Sequence, residues 1–307
     1  MSHAVRIESV VKRFGERTAL DGLSFSVETG ELFCLLGPNG SGKTTLFRIL
    51  STLLSPDEGS VSLAGFNAIT QPADVRAHLG VVFQHPSLDE KLTVAENLRY
   101  GGNLYGLRGE PLRKRIAALA NELHIEAHMK DRVETLSGGW RRRVELAKSL
   151  LADASILLLD EPSTGVDPAA RLDFWAFIDT LRKERGLTVI FTTHLMEEAE
   201  RAGKVAIIDA GKLAVIDTPE ALLNEAGPST LRVASRHPTQ AAEILRKDFQ
   251  LEPLVLENEL RVRCAEGHDF VGHVAEKLGD LADSIALARV SMDDVFLLKT
   301  GRRFSES

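Results

Sequence analysis

The sequence predicts an α/β protein built around a mostly parallel sheet, followed by a smaller α+β domain. Apolar runs such as residues 32–36 and 156–159 show no alternation, which is typical of strands buried on both faces. Segments with helical periodicity separate these runs, and this alternation favours a parallel sheet covered by helices. At about 100–200 residues per domain, 307 residues suggest two domains with room for a sizeable core.

Composition and charge exclude several classes of protein. A hydrophobic fraction of 44% and a charged fraction of 26% are ordinary for a globular chain, which excludes disordered and fibrous classes. The net charge of −7 provides no global basic field for nucleic acid or anionic lipid. Two cysteines are too few for a disulfide framework, and no apolar run approaches the ~20 residues of a membrane span. With no apolar signal core at the N-terminus, we expect a soluble, cytoplasmic protein.

The first domain is predicted to span residues 1–226. Two β-like runs open the chain at residues 5–11 and 24–27, and a helix is predicted at residues 44–53. An almost wholly helical pattern then predicts a helical subdomain, about residues 85–152, inserted into the sheet. Its helices are predicted at 94–105, 111–123 and 141–151, and the further buried strands at 81–83, 156–160, 188–193 and 205–208.

A boundary is predicted at Gly227-Pro228, with a small α+β domain over residues 227–307. Six short segments follow a β-α-β-β-α-β pattern, which matches a ferredoxin-like arrangement, and a last helix is predicted at residues 292–299. The six segments are residues 230–234, 239–248, 254–257, 260–264, 269–278 and 284–289.

Residues 37–44, Gly-Pro-Asn-Gly-Ser-Gly-Lys-Thr, fit the phosphate-loop pattern between a buried strand and a helix. Glycines let successive backbone N–H groups converge on a phosphate, and the helix N-terminus adds a favourable dipole. Lys43 can reach the β- and γ-phosphates, and the Thr44 hydroxyl can ligate Mg²⁺. The alternative is a plain glycine-rich turn, which the strand–turn–helix context disfavours.

The apolar strand of residues 156–159 ends in Asp160 and Glu161. A carboxylate at the C-terminal edge of a parallel strand lies where α/β sheets bind ligands. Asp160 would hold Mg²⁺, and Glu161 could act as general base on an attacking water. An ordinary acidic pair at a strand end is the alternative, and the phosphate loop in the same chain disfavours it.

A second glycine nest precedes the predicted helix at 141–151, in the sequence Leu-Ser-Gly-Gly at residues 136–139. Ser137 is a good N-cap, and Gly138 and Gly139 expose backbone N–H groups at a helix start. Standing alone, this motif would indicate only a capped helix.

Over about residues 4–220, the chain resembles the ATP-binding cassette (ABC) ATPases. The resemblance is carried by the phosphate loop, Gln84 after a strand, the 136–139 motif, Leu-Leu-Leu-Asp-Glu-Pro at 157–162, the turn at 164–168 and His194. It implies a P-loop NTPase fold, with a RecA-like core, an antiparallel β subdomain and an inserted helical subdomain. Taken alone, Gln84 and His194 would be ordinary polar residues in a loop and at a strand end.

The resemblance also implies a role for each motif. Gln84 would sense Mg²⁺ and water and couple to a membrane partner, and His194 would hold the γ-phosphate and the attacking water. Phe14 would stack on adenine, although alone it would be an ordinary apolar residue of an edge strand. Lys43, Gln84, Glu161 and His194 are the expected catalytic residues, and Thr44, Gln84 and Asp160 the expected Mg²⁺ residues. Residues 137–139 would contact ATP bound by an opposite subunit, and Asp167 would lie in a loop between subunits. The expected ATP-binding residues are Phe14, Gly37, Pro38, Asn39, Gly40, Ser41, Gly42, Lys43, Thr44, Thr45, Ser137, Gly138, Gly139 and Asp167.

Within the family, residues 87–98 and 291–302 resemble the daunorubicin-resistance and type-2 exporter subgroup. This implies an ATP-hydrolysing subunit that powers export through a separate transmembrane permease, at the cytoplasmic face of the membrane. A homodimer or heterodimer of such subunits is implied, and no nucleic acid partner. The alternatives are a soluble ABC ATPase acting on ribosomes or nucleic acid, and a nucleotide sensor without turnover. Trp140 departs from the usual Gln or Met, and its ring is expected either at the nucleotide interface or against its own helical subdomain.

Overall fold

The computed structural model describes residues 3–264 and 268–304, and its contacts divide them into two compact units. The first unit comprises residues 3–195 and 202–216, and the second comprises residues 196–201 and 217–304. The second unit therefore resumes at residue 217, ten residues before the boundary that is predicted at Gly227-Pro228. It includes the helix of residues 219–226. The limits 1–226 and 227–307 of the two functional domains stay a prediction.

A six-stranded sheet forms the centre of the first unit, in the order β10-β9-β3-β8-β7-β6. The inner strands pair in parallel, and β3, β7 and β8 are buried along their whole length. These are the strands for which uninterrupted apolar runs predict burial on both faces. The six strands are β3 (Leu32–Leu36), β6 (Leu79–Val82), β7 (Ile156–Asp160), β8 (Thr188–Thr193), β9 (Lys204–Asp209) and β10 (Lys212–Asp217).

A second sheet of the first unit has the order β2-β1-β4-β5 and is antiparallel. It consists of β1 (His3–Phe14), β2 (Arg17–Glu28), β4 (Glu58–Leu63) and β5 (Phe66–Asn67). The two opening strands are longer than predicted because they form one hairpin, with Phe14 opposite Arg17 at its turn. Their apolar side chains share a core with helix α1 (Lys43–Leu50). That helix ends before the predicted residue 53, because Thr52 adopts a left-handed φ of 60°.

Three helices, α3 (Val94–Leu104), α4 (Gly109–Glu122) and α5 (Gly138–Ser149), form the insertion between β6 and β7. A capping box of Thr93 and Glu96 starts α3. Helix α5 begins three residues earlier than predicted, because Ser137 is its N-cap and both following glycines are helical. The first unit also contains α2 (Pro72–Ala77) and α6 (Pro168–Arg185). Helices α7 (Met196–Ala199) and α8 (Pro219–Ala226) belong to the second unit.

The second unit contains an antiparallel sheet in the order β12-β13-β11-β14. Its elements are β11 (Ser229–Ala234), α9 (Pro238–Phe249), β12 (Leu254–Val255), β13 (Glu259–Cys264), α10 (His268–Leu278), β14 (Ser284–Arg289) and α11 (Met292–Thr300). Within this unit, α11 packs on α7 and α8. No helix among the described residues of either unit is both long and apolar enough to cross a bilayer.

Candidate nucleotide site

The phosphate loop joins the end of β3 to the start of α1, and two of its glycines are sterically required. A Cβ on Gly37 would lie 2.3 Å from the carbonyl oxygen of Ile208. Gly42 has a φ of +110°, and a Cβ there would lie 2.6 Å from the carbonyl oxygen of Ala19. Because Gly42 is the N-cap of α1 and provides no side-chain cap, the first N–H groups of this helix face the loop unpaired by a capping side chain.

Lys43 binds the backbone of the phosphate loop with its own side chain. Its side chain is buried, and its Nζ donates to the carbonyl oxygens of Gly37 at 2.6 Å and Pro38 at 2.9 Å. Burial lowers the pKa of the Lys43 ammonium, while the carboxylates of Glu161 and Asp160 act in the opposite direction. The loop thus holds a desolvated cation beside two carboxylates, at the point where a phosphate would be bound.

Asp160 ends β7 and is buried beside β8. Its Oδ1 accepts a 2.6 Å hydrogen bond from the hydroxyl of Thr192, which lies opposite it in the strand register. Burial raises the pKa of Asp160, and the Thr192 hydrogen bond partly offsets this effect. Thr192 was not among the residues predicted for the site, because a threonine in an apolar strand gives no signal without the strand pairing.

Glu161 brings together two motifs that are far apart in sequence. Its Oε2 accepts hydrogen bonds from the side-chain amide of Gln84 at 3.1 Å and from the hydroxyl of Thr164 at 3.3 Å. The Nδ1 atom of His194 lies 3.3 Å from Oε1, without hydrogen-bond geometry. Glu161 has a φ of +44°, and its N–H is held by the carbonyl and hydroxyl oxygens of Thr192. This left-handed conformation is sparsely populated for residues other than glycine, and it turns the chain sharply at the end of β7.

A cavity of about 260 Å³ opens beside the phosphate loop. The Phe14 side chain lines it, is half exposed, and has the Nζ of Lys12 5.7 Å from its ring centre. Arg17 lines it as well and donates to the carbonyl oxygen of Gly40 at 3.3 Å, a contact that the hairpin creates and the sequence analysis missed. The other residues that line it are Ala19, Asn39, Gly40, Gly42, Lys43, Thr44, Thr45 and Glu161. Of the predicted loop residues, Ser41 is buried with an unpartnered hydroxyl, and Pro38 is buried.

The second glycine nest lies outside this cavity. Ser137 and Gly138 are exposed, and Ser137 caps α5 without a side-chain hydrogen bond. Asp167 is also exposed, and its carboxylate accepts from the N–H of Ala170 at the start of α6. The structure of one chain thus assembles residues 37–45, 84, 160, 161 and 194, and leaves 137–139 and 167 on the surface.

Trp140 packs onto its own helical insertion. Its ring centre lies 4.3 Å from that of His128, and the guanidinium of Arg143 lies 5.0 Å from the ring. Of the two positions considered for the indole, the geometry favours the one against the helices over the one at the nucleotide interface.

Comparison with known proteins gives this site a family. A family model described as "ABC transporter" matches residues 20–164. A daunorubicin resistance ATP-binding protein of Streptomyces coeruleorubidus is 38% identical over 310 residues, which cover 98% of this chain and 96% of that protein. A Nod factor export ATP-binding protein of Paraburkholderia xenovorans (strain LB400) is 36% identical over 312 residues, 99% of each chain.

Solved structures agree with these relatives. The ADP conformation of an ATP-binding cassette of an ABC transporter has a TM-score of 0.66 at 27% identity, and the match covers 72% of this chain and 93% of that one. A dimeric cassette in a post-hydrolysis state, bound to ADP and Pi, has a TM-score of 0.62 at 27% identity, with 70% and 98% covered. The P-loop NTPase fold and the exporter-type resemblance are thereby confirmed. The chain belongs to the ABC transporter ATP-binding proteins of the exporter type, and it is an ATPase subunit that binds ATP and powers export through a separate permease.

Proposed function

We propose that the cavity beside the phosphate loop is where this chain binds and hydrolyses ATP, with Glu161 as the general base. The observation that carries this proposal is the convergence of Gln84 and His194 on the Glu161 carboxylate, next to the buried ammonium of Lys43. A carboxylate held by a neutral amide can accept a proton from an attacking water. Lys43 would neutralise charge on the β- and γ-phosphates, and His194 would orient the γ-phosphate and the water.

The ATP is proposed to bind with Mg²⁺. Thr44 lies exposed at the start of α1, and Asp160 supplies one buried carboxylate at the end of β7. No cluster of three or more His, Cys, Asp or Glu side chains that could hold a metal occurs among residues 3–264 and 268–304. This donor set suits Mg²⁺, which is commonly held by one or two carboxylates together with substrate phosphates. The ion would neutralise charge that develops on the transferred phosphoryl group, and Gln84 would join its coordination.

A second nucleotide-binding subunit is proposed to complete the site. Ser137, Gly138 and Gly139 offer backbone N–H groups at an exposed helix N-terminus, which is a suitable site for an anion. Because they lie outside the cavity of their own chain, we propose that they bind the γ-phosphate held by the partner subunit. Asp167 would communicate between the two subunits.

The permease is proposed to bind an apolar surface of the first unit. Leu104 is 87% exposed at the end of α3, and Tyr100 and Tyr105 are about half exposed near it. Leu104 and Tyr105 line a cavity of about 640 Å³, together with Leu107 and Leu151. Exposed apolar side chains that lie together, as Leu104 and Tyr105 do, mark interaction sites. This contact would hold the subunit at the cytoplasmic face of the membrane, and residues 227–307 would regulate or stabilise the assembly.

Replacement of Glu161 by Gln tests the proposed base. We expect kcat to fall by about a hundredfold or more, because the amide cannot accept the proton of water. ATP affinity is retained, and with MgATP the variant elutes as a dimer in size-exclusion chromatography. Glu110→Gln, which removes an exposed carboxylate that pairs with Arg113, is the matched control and leaves turnover unchanged. Elution only as monomer, with hydrolysis within a few-fold of the wild type, would disprove the assignment.

A further inference from the structure

A buried ion pair lies on α5, outside every motif that the sequence analysis singled out. Arg142 and Glu145 have side chains that are only 9% and 2% exposed, and their Nη1 and Oε2 atoms lie 2.7 Å apart. Moving two charges out of water is costly, and such pairs are weak evidence for stability as such. Stability alone therefore does not account for this pair, and both side chains also bind another segment.

Both charges bind the segment of residues 83–87, which we call the Gln84 loop. Arg142 donates to the carbonyl oxygens of Phe83 at 3.0 Å and Gln84 at 3.3 Å. The Oε1 atom of Glu145 accepts from the backbone N–H of Ser87 at 2.9 Å. The pair thus holds the backbone on both sides of the loop, directly beside the residue whose side chain reaches Glu161.

A third side chain of α5 continues this contact. Lys148 donates from its Nζ to the carbonyl oxygen of Ser87 at 2.5 Å. Residues 142, 145 and 148 follow each other at intervals of three, so they lie along one face of the helix. The same helix begins at Gly138, and Arg142 is only four residues from that start, a rise of about 6 Å. One rigid element therefore joins the exposed glycine nest to the backbone of Gln84.

We propose that Arg142, braced by Glu145, is a positioning residue for ATP hydrolysis. It holds the Gln84 loop so that the Gln84 amide meets the Glu161 carboxylate, and it carries a displacement of the exposed glycine nest at the start of α5 to that contact. The proposal rests on the roles proposed above for Gln84 and Glu161. Arg142 itself does not line the cavity beside the phosphate loop.

The test compares steady-state ATP hydrolysis of the full chain with Arg142→Met and with Arg142→Met/Glu145→Met. The double variant removes both buried charges, so it avoids leaving Glu145 unpaired if the single variant fails to fold. We expect kcat to fall about tenfold or more in both, with KM and ATP affinity changed by less than about threefold. Arg182→Gln is the matched control, because Arg182 also pairs with a carboxylate on its own helix and donates to a loop carbonyl, that of Gly30. It leaves kcat unchanged.

Addition of Gln84→Ala distinguishes positioning from a merely structural role. If Arg142 acts through Gln84, the methionine substitutions lower kcat by less than about twofold further in this background. The same tenfold loss in both backgrounds, or an unchanged kcat in the folded double variant, would overturn the proposal. Failure of the proposed function has a different result, namely rapid turnover by Glu161→Gln, which is measured in parallel.

Discussion

The two glycine nests of this chain differ in how much of their surroundings one chain provides. At Gly37 and Gly42 a Cβ would lie 2.3 and 2.6 Å from backbone carbonyl oxygens. At Gly138 a Cβ would meet no atom within 4 Å, and at Gly139 it would lie 3.9 Å from the Ala170 Cβ. The first nest is enclosed by its own strands, whereas the second faces open space. The same residue type thus serves close packing in one place and exposure of N–H groups in the other.

This difference has a consequence for the chemistry. The enclosed nest lies beside Lys43, Asp160 and Glu161, so one chain contains the groups that are proposed to contact phosphate and water. The open nest is exposed, and the ligand proposed for it comes from another subunit. Substitutions at the two nests are therefore expected to fail in different ways.

Gly42→Ala should have the largest effect. It places a Cβ 2.6 Å from a carbonyl oxygen at a φ of +110°, so the loop and the start of α1 must shift. We expect ATP affinity, measured by equilibrium binding of a fluorescent ATP analogue, to fall by about a hundredfold or more. Gly65→Ala is the matched control, since Gly65 also has a positive φ of +85° but has no atom within 4 Å of the added Cβ. Equal losses of affinity in both variants would mean that the close approach at Gly42 is irrelevant.

Gly138→Ala should spare the fold and ATP binding and weaken only assembly. The added methyl group meets no other atom, and alanine favours a helix over glycine by at most about 1 kcal/mol, so the melting temperature stays equal or rises slightly. In a Glu161→Gln background, we expect the dissociation constant of the ATP-dependent dimer to be about tenfold higher than in Glu161→Gln alone. The reason is that the methyl group blocks the exposed N–H groups.

The control for this prediction is Gly272→Ala, which places alanine in the open space around another helical glycine, in α10. Sedimentation velocity with MgATP measures the dimer in both variants. A dimer of Gly138→Ala that is as stable as that of the control contradicts the proposed role of the open nest.

Asp160→Asn should have the smallest effect on the fold, and its sign is unusual. Burial raises the Asp160 pKa above the ordinary 3.8. At pH values between 3.8 and the raised pKa, the folded chain therefore binds more protons than the unfolded chain. The stability due to this group therefore falls as the pH rises through that window. At pH 7 the charged form is buried at a cost, and we expect Asp160→Asn to be as stable as the wild type or more stable, while turnover is lost.

Asp179→Asn provides a control of opposite sign. Hydrogen bonds from Lys183 and then Arg182 lower the Asp179 pKa, so its stabilising contribution is present above the ordinary pKa and is lost as the pH falls through the folded value. The Asp179 side chain is partly exposed, at 38%, so its effect is small. Thermal unfolding from well below the ordinary pKa of 3.8 up to pH 8, written as the difference from the wild type, should show opposite pH trends for the two variants. Parallel trends would contradict the burial argument.

The central sheet, the phosphate loop and the position of the acidic pair at a strand end could be predicted because their signals are local. An apolar run that ends in Asp160 and Glu161, and glycines between a strand and Lys43, are complete within a few residues. The helix bounds were less accurate, since Ser137 capping and the left-handed Thr52 moved the ends of α5 and α1. Such ends depend on single backbone conformations that hydrophobic periodicity does not report.

The sequence by itself determined the family, the phosphate loop and the acidic pair, because each depends on residue type at short spacing. Only the tertiary structure decided that the Gln84 amide meets Glu161, that Thr192 holds Asp160, and that Arg142 and Glu145 bind the Gln84 loop. These contacts join residues that are up to 77 positions apart, and they depend on the order and register of β6, β7 and β8 and on the face that α5 turns toward them. Parallel strands bring distant segments to one edge of a sheet, and no local pattern in the chain encodes which side chains then meet there.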